Sequence, residues 1–103
     1  MTRLLLALSL LTSVAAAPVR ASAEECGWYA FAGAFSDHAN AQERAGWVDG
    51  RVFDGEYSSA VNAWRGLFIV ASGPSSEPEA RQERRRIRRL GVHDAYVDYR
   101  CFY

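Results

Sequence analysis

Residues 26–35, Cys-Gly-Trp-Tyr-Ala-Phe-Ala-Gly-Ala-Phe, and residues 95–103, Ala-Tyr-Val-Asp-Tyr-Arg-Cys-Phe-Tyr, are the two stretches that together decide the fold. Both are rich in aromatic and small apolar residues and are bounded by turn formers, so residues 27–35 and 95–103 read as strands at the two ends of one domain. Each stretch also carries one of the chain's two cysteines, Cys26 and Cys101.

The sequence between them alternates in character. Ser36-Asp37 caps a helix over residues 38–48 with a weak apolar stripe at Ala41, Ala45 and Val48. Residues 56–61 read as a second strand and residues 67–71 (Leu-Phe-Ile-Val-Ala) as a third, ended by Gly73-Pro74. Ser76-Glu77-Pro78-Glu79 is a capping box with proline where a missing N–H does no harm, and Gly91 supplies the stop of this second helix. The order β-α-β-β-α-β predicts an α+β, ferredoxin-like or RNP-like fold: a four-stranded antiparallel sheet, strand order 4-1-3-2, with two helices on one face.

In that topology the first and last strands are antiparallel neighbours, and the cysteines set their register. If Cys26 faces Cys101, then Trp28 faces Tyr99, Ala30 faces Val97, Phe31 faces Tyr96 and Ala32 faces Ala95. Directly opposed strand residues lie close enough for a disulfide. Trp28, Ala30, Ala32, Ala95, Val97 and Tyr99 then share a face that suits packed helices. Tyr29, Phe31, Tyr96, Asp98, Arg100 and Phe102 share the other, which is expected to meet solvent.

An address precedes this domain. Met1-Thr2-Arg3 is a basic start, residues 4–17 form an apolar run, and Ala21-Ser22-Ala23 is a small-x-small cleavage site, so residues 1–23 read as a signal peptide and residues 24–103 as the mature domain. The run is too short for a membrane span, and no lipobox precedes Cys26. A periplasmic or secreted location follows, where a lone cysteine pair is oxidised. Of 12 basic and 12 acidic residues, Arg3 and Arg20 leave with the leader, giving a net charge of −2 and no support for nucleic-acid binding.

The same pieces, in this order and spacing, resemble the SPOR (sporulation-related) domain. Phe31-Ala32-Gly33-Ala34-Phe35 is similar to the family's Gln-x-Gly-Ala-Phe strand, Asn40-Ala41 to the Asn-Ala pair opening the first helix, and Gly73-Pro74 to the Gly-Pro after the third strand. Glu79-Ala80 with Leu90-Gly91, and Asp94-Ala95-Tyr96-Val97, resemble the second helix and the last strand. The resemblance implies a module that binds peptidoglycan glycan strands stripped of stem peptides, through the sheet face opposite the helices. On this chain the implied glycan-binding residues are Phe31, Tyr96, Tyr29, Ile69, Trp64 and Arg65. Phe31 stands where the family has a glutamine and Ile69 near where an arginine is common, while Trp64-Arg65 resembles an aromatic-arginine pair set a few residues early. The alternative reading is a periplasmic protein-interaction or inhibitor module, or self-association, through the same face made apolar by Phe31, Tyr96, Leu67 and Ile69.

Signs of catalysis are missing from the sequence. His38 and His93 lie far apart with no zinc-type spacing, no nucleophile elbow is present, and no cofactor or metal is implied. The arginines of the second helix, Arg81, Arg84, Arg85, Arg86, Arg88 and Arg89, follow Glu77, Glu79 and Glu83, an order that complements the helix dipole and reads as a solvated face.

Overall fold

A computed structural model describes residues 24–103; the leader read at residues 1–23 lies outside them. The elements are β1 (Glu25–Phe35), α1 (His38–Val48), β2 (Arg51–Asp54), a 3-10 turn (Gly55–Tyr57), α2 (Val61–Trp64), β3 (Phe68–Ser75), α3 (Glu77–Arg89) and β4 (Tyr96–Phe102). The antiparallel sheet has the order β2-β3-β1-β4, the predicted 4-1-3-2 read from the other edge.

The register between β1 and β4 is the predicted one. Cys26 lies opposite Cys101, Trp28 opposite Tyr99, Ala30 opposite Val97 and Phe31 opposite Tyr96. The ladder stops there because β4 begins at Tyr96, so Ala95 is buried beside the sheet and is not paired with Ala32. Cys26 and Cys101 form a disulfide across this pair, with a Cα separation of 4.0 Å and a sequence separation of 75.

Both helices have the local reasons the sequence offers. Asp37 accepts from the Ala39 N–H at 2.8 Å at the start of α1, and Asp49 takes the left-handed conformation at its end. Ser76 and Glu79 form a complete capping box on α3. Ala41, Ala45 and Val48 of α1 and Ile87 of α3 then bury against Ala30, Ala32 and Val70 of the sheet. Several arginines of α3 are more than a solvated face. Arg86 binds Glu83 and also donates to the Val48 carbonyl at 2.7 Å, and Arg88 donates to the Ala95 carbonyl at 2.9 Å, tying the helix to its neighbours.

The second strand is corrected. It is Arg51–Asp54, where Phe53 points into the fold, and residues 56–61 are a 3-10 turn, a bridge and the start of α2. Side chains there satisfy the backbone locally. Asp54 accepts from the Glu56 N–H at 2.9 Å, and the buried Ser58 hydroxyl donates to the Gly55 carbonyl at 2.8 Å, offering an alternative to a strand ladder. Gly55 is required by close approach, since a Cβ there would lie 2.2 Å from the Trp64 carbonyl oxygen. The third strand also runs further than expected. Gly73-Pro74 does not end it but occupies a register shift opposite β1, the kind of place where a strand tolerates proline.

A second register shift in β1, between Phe31 and Gly33, breaks the alternation of side chains. Tyr29 and Phe31 face away from the helices, whereas Phe35 packs on the helix side, against the cluster containing Ala41 and Ala45. The bulge follows from Gly33, whose φ of 143° is open to glycine but strained for other residues.

Candidate functional site

The sheet face opposite the helices is not open. Residues 55–67, the connection between β2 and β3, fold over it and make a second core. Tyr29 is 0% exposed, Phe31 2% and Ile69 1%, buried with Phe53, Ala71 and Phe102 beneath the partly buried Trp64 and Leu67. The expectation that Tyr29, Phe31 and Phe102 meet solvent is therefore corrected. Burial of these rings drives the covering segment into place, since each removes a large apolar area from water.

Backbone hydrogen bonds fasten the cover to the end of β4. The Ser59 N–H donates to the Cys101 carbonyl at 2.9 Å, and the Cys101 N–H donates back to the Ser59 hydroxyl at 3.0 Å. The Tyr103 N–H donates to the Tyr57 carbonyl at 2.7 Å, and the Gly55 N–H to the Leu67 carbonyl at 2.9 Å. The segment is thus held at both ends, and one of its anchors is a disulfide cysteine.

What the cover leaves is a cavity of about 180 Å³ lined by Phe31, Gly33, Ala34, Trp64, Ile69, Asp94 and Tyr96. Four of the six sequence-derived residues meet there. Phe31 forms its floor, stacked on Tyr96 with ring centroids 5.1 Å apart and tilted against Trp64 at 5.3 Å. Tyr96, at the free end, is 46% exposed. Trp64 is braced from behind by Phe102, in parallel planes at 5.9 Å, and by the Arg100 guanidinium 5.7 Å from its ring centre. Partial burial pushes the Tyr96 phenol above its ordinary value of 10, so its hydroxyl remains a proton donor throughout the neutral range.

The other two residues lie elsewhere. Tyr29 is a core residue whose hydroxyl donates to the Glu25 carbonyl at 2.6 Å; burial first, and then the Glu25 charge, push its pKa up to about 12. Arg65 points to solvent and pairs with Glu56 at 3.6 Å. Asp94, absent from the sequence-derived set, brings the cavity a carboxylate. It precedes the last strand, and only the bend into β4 carries it to the rim.

An aromatic cleft with one acidic group and a phenol is suited to a ligand with flat apolar patches and hydroxyl groups. Stacking would come from Trp64 and Tyr96, and hydrogen bonds from Asp94 and the Tyr96 hydroxyl. Among the described residues no group of three or more His, Cys, Asp or Glu is placed to hold a metal ion, and no helix is long and apolar enough to cross a membrane.

No curated protein and no solved structure matches the chain significantly. The family model of the SPOR domain does match, over residues 27–97, from the start of β1 into β4. That span takes in α1, α2 and α3, β2 and β3, most of β1, the start of β4 and the whole covering segment, and the chain belongs to the SPOR domain family.

Proposed function

We propose that this protein is an exported binding module that holds peptidoglycan glycan strands in the cavity between Trp64 and Tyr96. SPOR domains bind peptidoglycan, which supplies the ligand class and supports a role as a cell-wall binding module. The position on this chain rests on one observation: the only ring on the sheet face left substantially exposed, Tyr96, stacks on Phe31 at the mouth of an aromatic cavity. Phe31 and Ile69, where the family has polar residues, act as floor and wall, so sugar contact falls to Tyr96, Trp64 and Asp94. Tyr29 contributes by packing and Arg65 by holding Glu56, which accepts from the Gly66 N–H at 2.8 Å in the covering segment.

The leader at residues 1–23 and the disulfide support export to the periplasm or beyond. The alternative, a protein-docking face formed by Phe31, Tyr96, Leu67 and Ile69, keeps only Tyr96 as substantially exposed apolar surface. Phe31 and Ile69 are covered and Leu67 is part of the cover.

Retention on purified sacculi, before and after an amidase has removed stem peptides, tests the reading. Retention is expected to rise after amidase treatment. Tyr96→Ala is expected to lower it roughly tenfold, equivalent to about 1.4 kcal/mol. No retention of the parent on either form would refute the function; equal retention of parent and variant would remove Tyr96 from the site.

A further inference from the structure

A second cavity lies away from the cover. This is an open groove of about 490 Å³ on the helix side, lined by Phe35, Asn40, Glu43, Arg44 and Trp47. We propose that this groove is a second saccharide subsite, and that one glycan strand runs from the Trp64–Tyr96 cavity around the end of β1 onto Trp47. The proposal rests on the glycan reading above.

Three features of the groove carry it. The first is a ring that is both exposed and held. Trp47 is 51% exposed, yet its indole lies against the Gly91 turn, where a Cβ would be 3.5 Å from Trp47 Cζ2, and the Arg44 guanidinium sits 5.3 Å from its ring centre. A large ring kept in place while half open to water is a preformed stacking platform.

The second is a fixed polar group beside it. Arg44 lies between two rings, 5.2 Å from the centre of Phe35 and 5.3 Å from that of Trp47, and donates from Nη1 to the Ala32 carbonyl at 2.6 Å. One N–H of its fork is spent on the backbone, and the fork as a whole is held in place. With the Glu43 carboxylate and the Asn40 amide it offers donors and acceptors around the indole with no net charge. A flat apolar face edged by neutral-sum donors and acceptors matches a pyranose ring, whose C–H face stacks while its hydroxyls both give and accept.

The third is continuity. The first cavity is lined by Gly33 and Ala34 and the groove by Phe35, consecutive residues of β1. The bulge at Gly33 sends Phe35 to the helix side, and Gly33 is the saddle between the two. A Cβ on it would lie 2.8 Å from the Phe35 ring and 3.2 Å from Arg44 Nη1. The same bulge that shifts the β1–β3 register therefore leads from one aromatic site to the other at the C-terminal end of β1.

The test measures binding of peptide-free glycan strands, prepared with an amidase, to the parent protein, Trp47→Ala, Trp47→Phe and Tyr96→Ala. Circular dichroism melting checks that each variant is folded. Parent binding that falls roughly tenfold in both alanine variants, with Trp47→Phe recovering most of the loss, is the expected result. Binding weakened in Tyr96→Ala but equal to the parent in Trp47→Ala would overturn the second subsite and leave the first standing. Absence of binding by the parent would overturn the glycan reading, and the subsite with it. Preference of the parent for strands that keep their stem peptides, lost in Trp47→Ala, would assign the groove to peptide and refute its saccharide role.

Discussion

Truncation of Trp64 to alanine probes the least expected element of the fold, the cover over the sheet. The indole is partly buried and contacts Phe31 at 5.3 Å, Phe102 at 5.9 Å and the Arg100 guanidinium at 5.7 Å. Aromatic side chains bury ~150–250 Å² when fully enclosed, and at ~25 cal/mol per Å² a partly buried indole contributes about 2–3 kcal/mol. Ring pairing adds about 0.5–1.5 kcal/mol beyond area for each pair, although these terms overlap. A loss of about 3 kcal/mol is expected for Trp64→Ala. Urea denaturation followed by far-ultraviolet circular dichroism reads it. With a slope of about 1–1.5 kcal/mol per M for a domain this small, the midpoint should fall by about 2–3 M. Tyr57→Ala serves as the control, because that ring lies in the same segment but is exposed, and its loss should stay within about 0.5 kcal/mol. Exposure of Phe31 and Ile69 in Trp64→Ala should also raise binding of a hydrophobic dye. A midpoint shift no larger than that of Tyr57→Ala would mean that the cover is not packed on the sheet in solution, and the cavity beneath it would go with it.

Two further outcomes follow from the covalent and ionic ties. Titration of the oxidised protein with a thiol reagent should find no free thiol, and replacing Cys26 and Cys101 together by serine should cost up to ~4.5 kcal/mol on the chain-entropy model for a loop of this size, read from the denaturation midpoint; two titratable thiols would refute it. Glu83 is held below its ordinary value of 4.5, chiefly by the Arg86 hydrogen bond and further by the Ser72 hydroxyl, so its contribution to stability is complete above about pH 4.5 and is lost as pH falls through its lower folded value. Glu83→Gln should therefore cost about 1 kcal/mol at neutral pH and narrow to little difference from the parent in strong acid; a constant difference at every pH would remove the charge from the account.

The parts of the fold legible in the sequence are those fixed by local chemistry. The capping box at Ser76, the Asp37 cap and the Gly91 stop bound both helices because each satisfies backbone groups within a few residues. The β1–β4 register was legible because two cysteines can pair in only one way, and that single pairing fixes every other opposed residue down to Phe31 and Tyr96. The second strand was missed because the side chains of Asp54 and Ser58 bond to their own backbone, a competition that strand propensity does not register. Trp47 and Arg44 were missed as a pair for another reason: they face Phe35 only because of the bulge at Gly33, and a bulge inverts the facing of everything beyond it.

The cover itself left a trace that alternation alone obscures. Residues 28–32, Trp-Tyr-Ala-Phe-Ala, are apolar at every position, and a strand with one wet face should alternate. The uninterrupted run signals burial on both faces, so some segment must supply a third layer, and the β2–β3 connection is the longest stretch available to do it. Once that layer is in place, the role of the disulfide changes. Cys101 is joined to Cys26 by its side chain and to Ser59 of the cover by both of its backbone groups. The bond therefore fixes the edge strand to which the cover is fastened, and through the cover it fixes Trp64 over Phe31. In a domain of this size, with little stability to spare, a cavity wall borne on a 3-10 turn and a four-residue helix cannot be kept in place by its own hydrogen bonds. The covalent tie at the end of β4 and the packing of Trp64 against Phe31 and Phe102 provide the order that those short elements lack.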